Sequence, residues 1–121
     1  MSAKKDPHLP SLIVFDLDDC LWTPEMHELY DCPRKPVRGI LNPHKPKSEQ
    51  KEGIVALANS SGQTVRIYEG GRRALYELAT DPKYKGVQIA VASTSLEPSY
   101  SYACLEGIEV LPGKTIMDLL Q

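Results

Sequence analysis

The 121-residue sequence lacks the features of membrane, nucleic-acid-binding and disulfide-rich proteins. Its apolar runs are no longer than a strand, so no segment is expected to cross a bilayer. Lys and Arg total 14 against 16 Asp and Glu, so the chain lacks the positive excess that favours nucleic acid or anionic membranes. The three cysteines, Cys20, Cys32 and Cys104, are odd in number and far apart, which favours free thiols. A soluble cytoplasmic protein without nucleic-acid or membrane partners is therefore expected.

The residue pattern predicts a short leader followed by one folded domain, which suits a chain of this length. Residues 1–10 contain no apolar segment and are expected to be a flexible leader. Residues 11–121 are expected to form the domain, with an insertion at 24–68. Residues 24–51 of the insertion contain five prolines and are expected to be irregular, whereas its remainder is expected to form a β-hairpin.

Apolar runs and helical spacing in the domain predict an α/β fold. Strands are predicted at 12–17, 86–92 and 108–111. Helices are predicted from Gly71 to about residue 80, at 95–107 with Ser95 as N-cap, and at 113–121. Strands that alternate with helices predict a three-layer, Rossmann-like parallel sheet with helices on both faces, to which the β-hairpin is an addition.

Aspartates stand directly at the end of the first apolar run, in SLIVFDLDDCLW. Carboxylates next to a buried strand cost free energy unless something compensates their charge. Ligands of a parallel sheet bind at the carboxyl ends of its strands, and residues two apart in an extended chain point the same way. Asp16 and Asp18 can therefore face one crevice, where Mg²⁺ or Ca²⁺ would relieve their repulsion. Asp19 is expected to be a turn residue, with Cys20 and Trp22 buried beside it.

Hydroxyl side chains stand at the corresponding end of the second predicted strand, GVQIAVAST. Ser93 and Thr94 lie there, and the N-terminus of the next predicted helix follows closely. Hydroxyl groups and the free N–H groups of a helix N-terminus together form a site for an anion. Metal-binding carboxylates beside an anion site indicate phosphate chemistry.

The two strand ends resemble motifs of the haloacid dehalogenase superfamily. VFDLDDCLW is similar to its motif I and IAVAST to its motif II, and the continuations CLW and TSLEP most resemble the eukaryotic magnesium-dependent phosphatase family. The resemblance, over about residues 11–112, implies that Asp16 attacks phosphorus to form an aspartyl-phosphate and that Asp18 acts as general acid and base. It also implies Mg²⁺ bound to the Asp16 side chain and the Asp18 carbonyl, with Ser93 and Thr94 holding the phosphoryl oxygens.

The same superfamily also uses a motif III lysine and motif IV acids, which the sequence does not clearly supply after Ser93. Lys114, at the start of the last predicted helix, is a candidate for the lysine, and the domain is expected to be truncated before these motifs and incomplete on its C-terminal side. An incomplete sheet would leave an uncovered edge through which the chain could self-associate.

Two functions from different classes follow from the resemblance. The first is a Mg²⁺-dependent phosphatase that acts on a phosphorylated small molecule or a phosphoprotein. The second is a truncated, catalytically silent relative that binds a phosphorylated ligand or a partner protein.

Overall fold

The computed structural model describes residues 9–93 and 97–120, which form a mixed α/β structure, as the sequence predicts. Its strands are β1 (Leu12–Asp16), β2 (Trp22–Thr23), β3 (Lys35–Ile40), β4 (Glu52–Ala58), β5 (Thr64–Ile67), β6 (Gln88–Ala92), β7 (Glu109–Leu111) and β8 (Lys114–Thr115). Its helices are α1 (Glu69–Thr80), α2 (Pro98–Gly107) and α3 (Ile116–Leu119). Within these ranges no helix is long and apolar enough to cross a membrane. Most of the predicted leader, together with Thr94 and Ser95, lies outside the described residues.

The predicted strands at 12–17 and 86–92 are confirmed as β1 and β6, which pair in parallel from Leu12 opposite Gln88 to Asp16 opposite Ala92. Strand residues point alternately to the two faces of a sheet. The side chains on one face of this pair, among them Phe15, Ile89 and Val91, pack on the core. The other face is open, with Leu12 48% and Val14 52% exposed. The pair therefore has one covered and one uncovered face.

The predicted hairpin is confirmed as β4 and β5, which belong to a four-stranded antiparallel sheet in the order β2-β5-β4-β3. The expectation that residues 24–51 are irregular is wrong in part, because β3 lies within them and pairs with β4. β3 is an edge strand, where Pro36 is tolerated because a strand edge does not need every backbone N–H group. Its side chains are mostly exposed, so it lacks the apolar run that identifies a buried strand.

The predicted strand at 108–111 is confirmed as β7, but it does not join β1 and β6. It pairs in antiparallel fashion with β8 across a tight turn, in which Gly113 has a φ of 77°. In the described part of the chain the parallel sheet thus has two strands. Lys114, expected at the start of a helix, instead lies in β8, and Thr115 caps the short helix α3 by accepting a hydrogen bond from the Asp118 backbone N–H at 3.3 Å.

Helix α1 lies against the loop that follows β1 and is hydrogen-bonded to strands of two different sheets. Its Arg72 is buried and donates hydrogen bonds to the carbonyl oxygens of Val55 in β4 (3.1 Å) and Glu109 in β7 (2.9 Å). Burial lowers the pKa of Arg72 to about 10, because a low-dielectric environment disfavours the charged form. A Cβ atom at Gly71 would lie 2.9 Å from the Leu21 Cδ1 atom, so glycine permits the close approach of helix and loop.

Candidate active site

The loop after β1 is a compact turn that begins at Asp16. The Leu21 backbone N–H donates to the carbonyl oxygens of Asp16 (3.1 Å) and Leu17 (2.9 Å), which closes the turn. Asp19 adopts a φ of 56°, a left-handed conformation that aspartate tolerates better than most residues. The Tyr68 hydroxyl donates to Asp19 Oδ1 at 2.9 Å, which joins the turn to the start of α1. Asp19 is therefore a turn residue, as the sequence predicts.

Both carboxylate oxygens of Asp18 accept hydrogen bonds from residues that follow it in the chain, one in β2 and one just after β2. The indole Nε1–H of Trp22 donates to Oδ1 at 3.0 Å, and the backbone N–H of Met26 donates to Oδ2 at 3.1 Å. Trp22 is fully buried, so the donor that orients Asp18 is itself fixed by the core. Each carboxylate oxygen has a further lone pair, so Asp18 can accept another hydrogen bond while it is held in this way.

Asp16 differs from Asp18 in being exposed. It is the last residue of β1 and lies on the open face of that strand. Among the hydrogen bonds of the described residues, none reaches its carboxylate. The Asp16 carboxylate is thus accessible from solution, as a nucleophile or metal ligand must be.

Ser93 lies at the same end of the parallel strand pair as the two aspartates. The Leu17 backbone N–H donates to the Ala92 carbonyl oxygen at 3.3 Å, which extends the pairing of β1 and β6 beyond Asp16. Ser93 directly follows Ala92, so parallel pairing brings it to the strand end that carries Asp16 and Asp18. Its predicted neighbour Thr94 lies outside the described residues. No hydrogen bond or ion pair of the described chain joins Lys114 to these residues.

The donor set at this strand end fits Mg²⁺ only if water and substrate complete the coordination. No group of three or more His, Cys, Asp and Glu side chains in the described residues could hold a metal ion. Mg²⁺ is commonly bound through one or two carboxylates together with waters and substrate phosphate. An exposed Asp16 carboxylate suits that mode of binding, whereas a closed protein cage is not present in the described part of the chain.

Several contacts at the site could not be read from the sequence alone. Trp22 is buried as predicted. Its hydrogen bond to Asp18 was not predicted, and the one trace of it in the sequence is that the two residues lie four positions apart. The expectation that Cys20 is buried is wrong, because it is exposed beside the turn.

Cys104 is buried near the site. Its burial, and to a smaller extent the charges of Cys32 and Asp18, raise the pKa of its thiol to about 12. A thiol with such a pKa stays protonated and is a poor nucleophile.

Carboxylates and a hydroxyl at the carboxyl ends of two parallel strands form an arrangement suited to phosphate chemistry. A family model described as acid phosphatase matches residues 8–120. The chain therefore belongs to the acid phosphatase family, and its function is phosphatase-like. No curated protein and no solved structure matches the chain.

Proposed function

We propose that the protein is a Mg²⁺-dependent phosphatase that hydrolyses phosphate monoesters through an aspartyl-phosphate at Asp16. The observation that carries the proposal is the placement of the exposed Asp16 carboxylate at the strand end that it shares with Asp18 and Ser93. Membership of the acid phosphatase family supports the phosphatase activity itself. The substrates would be phosphorylated small molecules or phosphoproteins, and the free cysteines are compatible with a cytoplasmic location.

The reaction would proceed in two displacements at phosphorus. In the first, an oxygen of Asp16 attacks phosphorus, the ester P–O bond breaks, and Asp18 protonates the departing alcohol oxygen. In the second, a water oxygen attacks the aspartyl-phosphate, Asp18 takes a proton from that water, and the bond between phosphorus and Asp16 breaks. Ser93, with Thr94, would hold the phosphoryl oxygens.

The hydrogen bonds to Asp18 support its part in both displacements. The donors from Trp22 and Met26 fix the direction of the carboxyl group while it loses and regains a proton. Asp16 and the backbone carbonyl of Asp18 would hold Mg²⁺, which neutralises phosphoryl charge when it is bound. β1 and β6 would then be neighbouring strands of a Rossmann-like sheet of the haloacid dehalogenase type, with ligands at the strand ends.

Replacement of Asp16 tests the proposal directly. Asp16→Asn should reduce Mg²⁺-dependent hydrolysis of phenyl phosphate by at least roughly a thousandfold, because the amide is not a comparable nucleophile. Asp19→Asn is the matched control, since asparagine also tolerates the left-handed turn and can accept the Tyr68 hydrogen bond. The control should retain wild-type activity. A chelator should abolish the activity of both the control and the wild type. An Asp16→Asn variant that retained more than about a tenth of the activity would identify a different nucleophile.

A second candidate function is a catalytically silent protein that binds a phosphorylated ligand. The observation in its favour is the lack of a cluster of metal ligands in the described residues. Measuring both the binding and the hydrolysis of phenyl phosphate on one protein preparation distinguishes the two functions. Binding of phenyl phosphate with no release of phosphate at any Mg²⁺ concentration would favour the silent protein.

A further inference from the structure

Charge is unevenly distributed along the first half of the chain. Residues 9–33, which include both candidate aspartates, contain six Asp and Glu but no Lys or Arg. Residues 34–51, which follow directly, contain six Lys and Arg and one Glu. All six basic residues are exposed, and within the described chain Arg38 alone among them forms an ion pair, with Glu52 at 3.6 Å. The positive charge of residues 34–51 is thus presented to solvent with little compensation by nearby acids.

The last part of this segment, residues 41–51, forms the loop between β3 and β4, which we call the basic loop. It is ordered around the fully buried side chain of Asn42. The Asn42 Nδ2 group donates hydrogen bonds to the Glu49 carbonyl oxygen and to the Tyr76 hydroxyl, both at 3.1 Å. Its Oδ1 atom accepts a hydrogen bond from the Lys51 backbone N–H at 2.7 Å. Since these bonds already hold the loop in one conformation, binding of a ligand to it costs little conformational entropy.

A recess of about 800 Å³ lies between the basic loop and the C-terminal part of α1. Its basic lining residues are Lys45, Lys51 and Lys83. Ser48 and Tyr76 also line the recess, and the Tyr76 hydroxyl, which accepts a hydrogen bond from the loop, donates to no described residue. The volume is in the range of ligand sites in proteins. The recess therefore combines enough space for several groups of a ligand with cationic and neutral hydrogen-bond donors.

The recess also contains three acids, Glu49, Glu77 and Asp81. Two of them already have partners, because Glu77 lies 3.1 Å from Arg73 and Asp81 accepts the Lys83 backbone N–H at 3.1 Å. A nucleic acid or an anionic membrane presents negative charge throughout and would be repelled by these carboxylates. A polypeptide can place its own acids against the lysines and its backbone N–H groups against the carboxylates. The mixed lining thus favours an acidic peptide over the other anionic partners.

We propose that the recess, together with the basic loop at its rim, binds an acidic segment of a partner polypeptide. Carboxylates of that segment pair with Lys45, Lys51 and Lys83, and the hydroxyls of Ser48 and Tyr76 donate to its carboxylate or carbonyl oxygens. Because the lysines are exposed, the binding depends on ionic strength. The candidate site residues do not line the recess, so the proposal does not depend on the proposed phosphatase activity.

A fluorescently labelled peptide of alternating Glu and Ser provides the probe, and its binding to the complete chain can be followed by fluorescence anisotropy. The affinity should fall by at least about threefold when NaCl is raised from about 50 to about 200 mM, since salt screens exposed charges. A single-stranded oligonucleotide of the same charge and vesicles that contain phosphatidylserine should bind at least about tenfold more weakly. Absence of peptide binding at low salt, or equally strong binding of the oligonucleotide or the vesicles, would overturn the proposal.

Removal of charge at the recess locates the binding surface. The double variant Lys45→Gln, Lys51→Gln should weaken peptide binding by at least about fivefold, because two of the lysines that pair with the peptide are lost. The matched control is Arg66→Gln, Lys114→Gln, which removes the same charge from exposed residues that do not line the recess. The control should bind the peptide like the wild type. Equal losses in the two double variants, or unchanged binding by the first, would overturn the proposal.

Discussion

At the scale of single residues, the two aspartates at the end of β1 have opposite surroundings. Asp16 is exposed and has no described hydrogen bond to its carboxylate, whereas the Asp18 carboxylate is held by two N–H donors. The exposed Asp16 carboxylate is free to meet a substrate, whereas the Asp18 carboxylate is held in a fixed direction. The sequence places both residues at the strand end, but it does not distinguish their surroundings, because the donors come from the fold of the following loop.

Trp22→Phe should test whether the indole hydrogen bond positions Asp18. The phenyl ring keeps part of the buried apolar volume but removes the N–H donor, so kcat for phenyl phosphate should fall by about tenfold, with little change in KM. Tyr68→Phe is the control, because it removes a hydrogen bond to the neighbouring Asp19, and its kcat should stay unchanged. Steady-state kinetics with circular dichroism decides the outcome. Equal losses of kcat in the two variants would argue against a positioning role for Trp22.

At the scale of secondary-structure elements, a single buried side chain joins helix α1 to two strands. Arg72→Met should lower the free energy of unfolding by about 3 kcal/mol, because the carbonyl groups of Val55 and Glu109 lose the donor that buried Arg72 provides. Arg73→Met is the matched control, because the Arg73 side chain is 61% exposed and its partner among the described residues is Glu77 on the same helix. The control should change stability by about 0.5 kcal/mol or less. Urea unfolding of both variants provides the measurement, and equal midpoints would contradict this function of Arg72.

The elements that the sequence predicts well are those with a strong local pattern. β1 and β6 are apolar runs, and α1 has helical spacing, so all three are predicted close to their observed ranges. The residue pattern does not predict β3, because an edge strand needs no apolar face. It does not predict the pairing of β7 either, because strand partners depend on the whole fold and not on the residues of one strand.

The site shows the same limit of sequence-based prediction. The placement of Asp16, Asp18 and Ser93 at one strand end follows from parallel pairing, which the order of strands and helices indicates. By contrast, a groove lined by Leu17, Val91, Ser101 and Leu105 on the covered side of the strand pair depends on how α2 and α3 pack against β6. Such packing depends on residues that are distant in the chain, so no local pattern predicts it.

At the scale of the whole molecule, the open face of β1 carries both apolar side chains and the candidate nucleophile. Leu12, Val14 and Asp16 alternate onto this face, and no described strand pairs with the outer edge of β1. Unpaired strand edges and exposed apolar side chains favour association with another chain. If two copies meet at this face, they cover Asp16, so association and catalysis would compete for the same surface.

This competition predicts that the activity per molecule falls as the protein concentration rises. Val14→Lys should prevent self-association, because a charged side chain on an open strand face opposes pairing between sheets. Its sedimentation coefficient should stay that of a monomer, and its activity per molecule should be independent of concentration. Tyr30→Lys is the control, since Tyr30 is highly exposed but lies outside the strands, and it should associate like the wild type. If Val14→Lys associates as strongly as the wild type, the copies meet at another surface. If the wild type is monomeric at all concentrations, association and catalysis do not compete.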